Sequence, residues 1–269
     1  MATRGMASRT PDGPPPPPVV QRVRFRYAKR GRLRFTSHRD FARAFERALR
    51  RANVPMGYSA GFSPHPKISY IGAAPTGVAS EAEYLEIGLA QPVDLEMLRA
   101  AIDAALPDGL DLIEAVAAGP GSFADRIQAS RWRIELPGVS LEAAELALSA
   151  FLAQAQYPVE RLTKNGRRTV DARTAVISAV LSAPAGRLDA VSDPATEPQG
   201  ARRAILEMVV RQVTPAVRPD DVLAALRGVA GLALDAPPVA VRLAQGPLDD
   251  AGSVGDPLQV DRGLLETSP

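Results

Sequence analysis

Arg22-Val23-Arg24-Phe25-Arg26-Tyr27 alternates a cation with an apolar or aromatic residue at every step. Successive side chains of an extended chain point to opposite faces, so this period of two predicts a half-buried strand with Val23, Phe25 and Tyr27 inward. Ten residues on, the period changes. Ser37 precedes Phe41, Ala44, Phe45, Ala48, Leu49 and Ala52, spaced as one face of a helix, while Arg39, Arg43, Arg47, Arg50 and Arg51 fill the rest. Pro55 requires that this helix stop before it.

A strand followed by a basic amphipathic helix sets the order of the first half. Arg32 to Phe35 reads as a continuation or partner of the first strand, and Val54 to Ala60 as a strand entering a Gly/Pro loop. Lys67 to Ile71 and Ala82 to Leu89 read as strands, Asp94 to Leu106 as a second helix and Leu110 to Val116 as the closing strand. The resulting β-α-β-β-α-β order is the ferredoxin-like pattern, with both helices on one face of an antiparallel sheet.

Gly119-Pro120-Gly121-Ser122 marks a boundary, after which the same order runs again. Arg131 to Leu136 is a strand and Ser140 caps a helix reaching about Gln154. Val159 to Leu162 and Thr169 to Asp171 flank the hairpin signal Lys164-Asn165-Gly166-Arg167. Val176 to Leu181 and Ala204 to Val213 are strand-like, a helix starts at Pro219 and Val239 to Leu243 closes the sheet. The expected fold is therefore α+β, two tandem ferredoxin-like domains at 19–120 and 126–244. A Pro-rich tail at 1–18, a polar insertion from Arg187 to Arg202 and a tail at 245–269 are expected to be disordered or mobile.

Composition narrows the function classes. The chain has 269 residues, 46% of them hydrophobic and only 5% aromatic, so its cores are built from Ala, Val, Leu and Ile. With no cysteine it has no disulfide and no cysteine-ligated zinc or iron–sulfur cluster. Met1 to Pro18 has no apolar core segment and does not read as a signal peptide, and no apolar run would span a bilayer. A cytoplasmic location with no membrane partner is expected. No G-x-G-x-x-G, P-loop or G-x-S-x-G phrase occurs, and Gly72-Ala73-Ala74-Pro75-Thr76-Gly77-Val78 is too irregular to stand for one.

Charge is the strongest signal. From Arg22 to Ala73 there are thirteen Lys or Arg against Asp40 and Glu46, a local excess of +11, while Ala74 to Asp125 holds ten acids and only Arg99 as a base. The whole chain nets +2. Arg22, Arg24, Arg26, Lys29, Arg30, Arg32, Arg34, Arg39, Arg43, Arg47, Arg50 and Lys67, interleaved with Phe25, Tyr27, Phe35, Phe62 and Tyr70, predict a cationic surface that neutralises phosphates and stacks bases, hence RNA. The bland reading is a solvated face pairing with the acidic block behind it.

Two phrases hold the only histidines. In Ser37-His38-Arg39-Asp40, Ser37 and Asp40 form a capping-box-like pair, leaving His38 at the first helical position, where the dipole favours a neutral imidazole. In Gly61-Phe62-Ser63-Pro64-His65-Pro66-Lys67, prolines on both sides pin His65. Both histidines fall at loop ends of neighbouring strands and are expected to lie near each other, the candidates for any catalysis. Asp40 or Glu81 would have to complete a metal site, which two histidines without cysteine do not favour. No metal and no cofactor are expected.

Lys29 to Asp40, Gly61 to Lys67 and Glu81-Ala82-Glu83-Tyr84-Leu85 together resemble the uncharacterised domain family associated with radical SAM proteins, found fused behind a B12-binding-type radical SAM enzyme or encoded beside one. The likeness is good from Val20 to Ala118 and looser to Leu243. It implies a radical SAM protein as partner and marks Ser37, His38, Asp40, Phe62, Ser63, His65, Lys67, Glu81 and Tyr84 as motif residues. Without Cys-x-x-x-Cys-x-x-Cys this chain is not the radical enzyme. More distantly it is similar to CRISPR repeat-processing endoribonucleases, which pair tandem ferredoxin-like domains with a histidine. The expected function is an RNA-binding accessory protein of a radical SAM enzyme, the alternatives a metal-independent endoribonuclease using His38 and His65, or a structural adaptor.

Overall fold

A computed structural model describes residues 16–163, 166–184 and 203–263, with the backbone of 264–266. Residues 1–15, 164–165, 185–202 and 267–269, on which most of the Pro-rich tail, part of the hairpin signal, the polar insertion and the end of the C-terminal tail are expected, lie outside the described residues.

The first half runs β1 (Gln21–Lys29), α1 (His38–Arg51), β2 (Ile68–Ile71), β3 (Ala79–Leu89), α2 (Leu95–Asp103) and β4 (Leu110–Ala117). The second runs β5 (Ala129–Pro137), α3 (Leu141–Leu152), β6 (Pro158–Thr163), β7 (Gly166–Asp171), α4 (Ala172–Ala175), β8 (Val176–Ser182), β9 (Arg203–Arg211), α5 (Pro219–Ala230) and β10 (Val239–Gly246), followed by α6 (Gln259–Glu266). Strands of the first half are ordered β4-β1-β3-β2 and those of the second β10-β5-β9-β8, antiparallel throughout. A short parallel pairing, Val241 with Ala79 and Arg242 with Ser80, joins them into one eight-stranded sheet. The hairpin of β6 and β7 stands apart as a two-stranded sheet.

Burial follows the period of each element. Val23, Phe25 and Tyr27 of β1 pack with Phe41, Phe45, Ala48 and Leu49 of α1 and Leu98 and Ile102 of α2. Trp132, Ile134 and Leu136 of β5 do the same with α3 and α5. A third, smaller cluster on the other face of the first half joins Ala82 and Tyr84 to Val116, Phe123, Ile127 and Leu258. Ser37 caps α1: its Oγ accepts the Asp40 N–H at 3.2 Å and its hydroxyl donates to Asp40 Oδ2 at 2.7 Å. At the far end Asn53 takes φ 51°, and the bonds from Asn53 N–H to Arg50 O and Val54 N–H to Leu49 O close a Schellman motif ahead of Pro55.

Three expectations are corrected. Gly31 to Phe35 is a 3₁₀ turn, because Gly31 at φ +52° breaks the extended run and the Arg30 N–H bonds Gly109 O at 2.8 Å. Val54 to Ala60 makes only the isolated bridges Met56–Leu89 and Tyr58–Pro66, since Pro55, Pro64 and Pro66 offer no N–H to a ladder. The segment from Gln245, read as a disordered tail, carries a bridge between Leu248 and Val254 and then α6, with Asp261 fully buried. Its polar residues are counter-ions of the body, which composition counts as solvating.

Candidate nucleic-acid interface

On β1 the side chains of Arg22, Arg24 and Arg26 lie opposite the α1 face, but that side is not open water. Arg24 is 2% exposed; its Nη1 donates to both oxygens of Asp261 at 2.8 and 2.9 Å and its Nε to Glu86 Oε2 at 2.9 Å. Arg22 pairs with Glu86 at 3.0 Å, and Arg26 Nε donates to Glu81 O at 2.9 Å. Lys29, 5% exposed, donates to Pro75 O at 3.3 Å. Burial pushes its pKa down, with Glu83 pulling it back up. Arg30 bridges Glu81 and Asp111, the latter at 2.7 Å. The acidic block after residue 74 thus supplies carboxylates to Arg22, Arg24 and Arg30, and Arg24 and Lys29 are corrected from surface contacts to buried ones.

The helix keeps its charge. Arg39, Arg43, Arg47, Arg50 and Arg51 are exposed, and Arg39, Arg43, Arg47 and Arg51 recur at four-residue steps, about 6 Å apart along the axis. The acids on this helix, Asp40 and Glu46, approach Arg43 at 3.7 Å and Arg50 at 4.0 Å, long contacts between partly exposed groups that neutralise little. Aromatic rings flank both ends. Phe35, under the Arg34 guanidinium at 4.6 Å, lies just ahead of α1, beside exposed Arg32; Tyr58, Phe62, His65 and Lys67 are exposed in the segment that follows it. Phe62 is 73% exposed and Ser63 beside it is open.

The two histidines have different neighbours. His38 opens α1, its ring edge-on to Tyr70 at 4.9 Å. The Tyr70 hydroxyl is buried without a hydrogen-bond partner among the described residues, and burial first, then Glu46, pushes its pKa up. His65 sits in a loop tied by its N–H to Ser59 Oγ at 3.0 Å and by the Ser59 N–H to its carbonyl at 2.9 Å. That loop closes a cavity of about 220 Å³ against Glu46, Leu49 and Arg50, eight to twelve residues past His38, or about 12–18 Å along the helix. Asp40 is engaged as a cap and Glu81 by Arg30, and among the described residues no group of three or more His, Cys, Asp or Glu would hold a metal ion.

Tyr84 is a core residue, 5.5 Å from the Phe123 ring, and not a recognition residue. Sequence reasoning missed the ions that organise the molecule: Asp261, Arg126, Glu83 and Arg242. Two left a trace: Glu83 within the phrase Glu81-Ala82-Glu83-Tyr84-Leu85, and Arg242 as a single cation inside the apolar run Val239 to Leu243. Among the described residues no helix is long and apolar enough to cross a membrane.

The family described as "uncharacterized protein conserved in bacteria (DUF2344)" matches residues 22–219, and the chain belongs to it. No curated protein matches the chain.

Proposed function

We propose that this member of an uncharacterised bacterial family binds RNA along the outward face of α1 and presents it to a partner radical SAM enzyme. The observation that carries the reading is the arginine ladder at Arg39, Arg43, Arg47 and Arg51 with Arg50 beside it, exposed while the cations of β1 are engaged by carboxylates or backbone carbonyls. Exposed rings at Phe35, Tyr58 and Phe62 suit unstacked bases, so single-stranded or looped RNA is favoured over duplex. The partner rests on the resemblance of the motif phrases alone, and the cytoplasm is its expected setting. We also read each half, 19–120 and 126–244, as a ferredoxin-like unit, supported by the orders β4-β1-β3-β2 and β10-β5-β9-β8.

The endoribonuclease reading is less favoured, because it needs His38 and His65 to converge on one phosphodiester, whereas His38 packs on Tyr70 and His65 lines a cavity with Glu46, Leu49 and Arg50. The adaptor reading is separated from ours by RNA binding itself. Fluorescence anisotropy with a labelled single-stranded RNA, over a salt series, should give binding that weakens steeply with salt and that Arg43→Glu plus Arg47→Glu reduces for all sequences alike. Affinity insensitive to salt, or to both charge reversals, would sink the RNA reading. Failure of the tagged protein to co-purify with a radical SAM protein would sink the partnership.

A further inference from the structure

The two halves close on a second cavity, of about 190 Å³, away from the outward face of α1. The loop at 72–75 forms one wall; Trp132 of β5, Arg242 of β10, Arg211 at the end of β9 and Arg218 ahead of α5 form the others. The three arginines differ in their commitments. Arg242 is buried and neutralised by Glu83, with its Nε on Ser80 Oγ at 3.3 Å. Arg211 and Arg218 are exposed and form no ion pair among the described residues. Of the acids in the first turn of α5, Asp221 is taken by Arg161 at 2.9 Å and by the Arg218 backbone N–H at 2.8 Å, and Asp220 is exposed and outside the cavity lining.

Trp132, 4% exposed, lines the cavity with the Arg242 guanidinium 5.4 Å from its ring centroid. Gly72, at φ +59°, leaves room for the buried Gln245 amide oxygen 2.6 Å from where a Cβ would lie, which seats this loop wall against β10. The volume decides the size of the ligand: it is below the roughly 300–1,000 Å³ of whole small-molecule pockets, room for one group and its water. Two uncompensated guanidinium forks select an oxyanion.

We propose that this cavity binds a phosphoryl group, held by Arg211 and Arg218. The group could belong to a free phosphorylated compound or to an RNA backbone. The second source is within geometric reach, because the same loop continues to Gly77, whose N–H bonds Arg34 O at 2.8 Å beside the start of α1.

Trp132 is the only tryptophan of the chain, so its emission reports on this cavity. The full chain would be titrated with sodium phosphate, with sodium chloride at matched ionic strength and with a single-stranded RNA, as wild type, as Arg211→Gln/Arg218→Gln and as Arg43→Glu/Arg47→Glu. Phosphate should give a saturable change that chloride does not, weakened at least tenfold in the cavity variant and unaltered in the α1 variant. An RNA that shifts Trp132 emission and competes with phosphate assigns the site to backbone phosphate; an RNA that binds without doing either assigns it to a free phosphoryl compound. Loss of RNA binding altogether would count against the α1 reading while the phosphate response still supported this one. A Trp132 signal that responds to neither phosphate nor RNA, or that survives in a cavity variant with wild-type circular dichroism and thermal midpoint, overturns the proposal.

Discussion

Asp261 has none of its surface in water, yet it accepts from Arg24 at 2.8 and 2.9 Å, from Arg126 at 2.9 Å and from the Gly119 N–H at 3.0 Å. Removing one partner of a buried ion pair leaves the other charge desolvated, so Asp261→Ala should cost about 3–5 kcal/mol in urea unfolding. Exchanging Arg24→Met, Arg126→Met and Asp261→Leu together should recover most of that, because the carboxylate and both of its guanidinium partners leave at once. A single substitution costing less than about 1 kcal/mol, the range of an exposed pair, would contradict this assignment. Lys29 makes the complementary case through pH. Burial lowers its folded pKa below the ordinary 10.5, so between those two values the unfolded chain holds more protons and stability rises with pH. Below the folded value the penalty is present in full. The stability difference between Lys29→Met and wild type should therefore favour the variant most at neutral pH and shrink as pH approaches 10.5, read from urea midpoints across that range. A difference that stays flat would mean Lys29 titrates normally.

At the scale of the element, α1 separates what holds the helix from what it displays. Ser37→Ala removes the acceptor for the Asp40 N–H and should cost about 1 kcal/mol of stability while leaving RNA affinity nearly intact. Arg43→Glu with Arg47→Glu should do the reverse: two fewer phosphate contacts lower the slope of log affinity against log salt by about 1.4 for a single strand. Equal loss of binding from both changes would mean the helix is recognised by shape and not by charge. This element was legible in the sequence because its cap, apolar face and arginine face are all local patterns, as was the inward set Val23, Phe25 and Tyr27 of β1. The adjacent Arg24 was not. A strand arginine reads the same whether water or Asp261, 237 positions away, receives it. Arg32 to Phe35 likewise read as a continuation or partner of the strand, whereas Gly31 at positive φ breaks the extended run into a 3₁₀ turn, and the packing of the His65 loop on Glu46, Leu49 and Arg50 is a tertiary contact with no local pattern.

For the whole molecule the question is what makes two halves one sheet. The backbone contribution is small: β3 and β10 pair only at Val241 with Ala79 and Arg242 with Ser80. Side chains do the rest, through Gln245 donating to Ala82 O at 2.6 Å and through Glu83, which receives the Arg242 guanidinium and the Ala74 N–H at 3.0 Å. Glu83 and Arg242 are 159 positions apart, and each sits in a strand whose neighbours are apolar, so nothing in either local pattern announces the pair. Glu83→Gln keeps an acceptor for Ala74 but leaves both Arg242 and Lys29 buried without their anion, a loss of about 3–5 kcal/mol located at the seam. In the wild-type chain, Trp132 emission, which reports the second-half core and the cavity it shares with the first half, and far-UV circular dichroism, which reports both halves, should follow one urea transition. In Glu83→Gln the midpoints should fall and the two probes should part, because the remaining seam no longer couples the clusters around Phe45 and around Phe151. Coincident transitions in the variant at an unchanged midpoint would mean that the halves are held by something other than this buried charge pair.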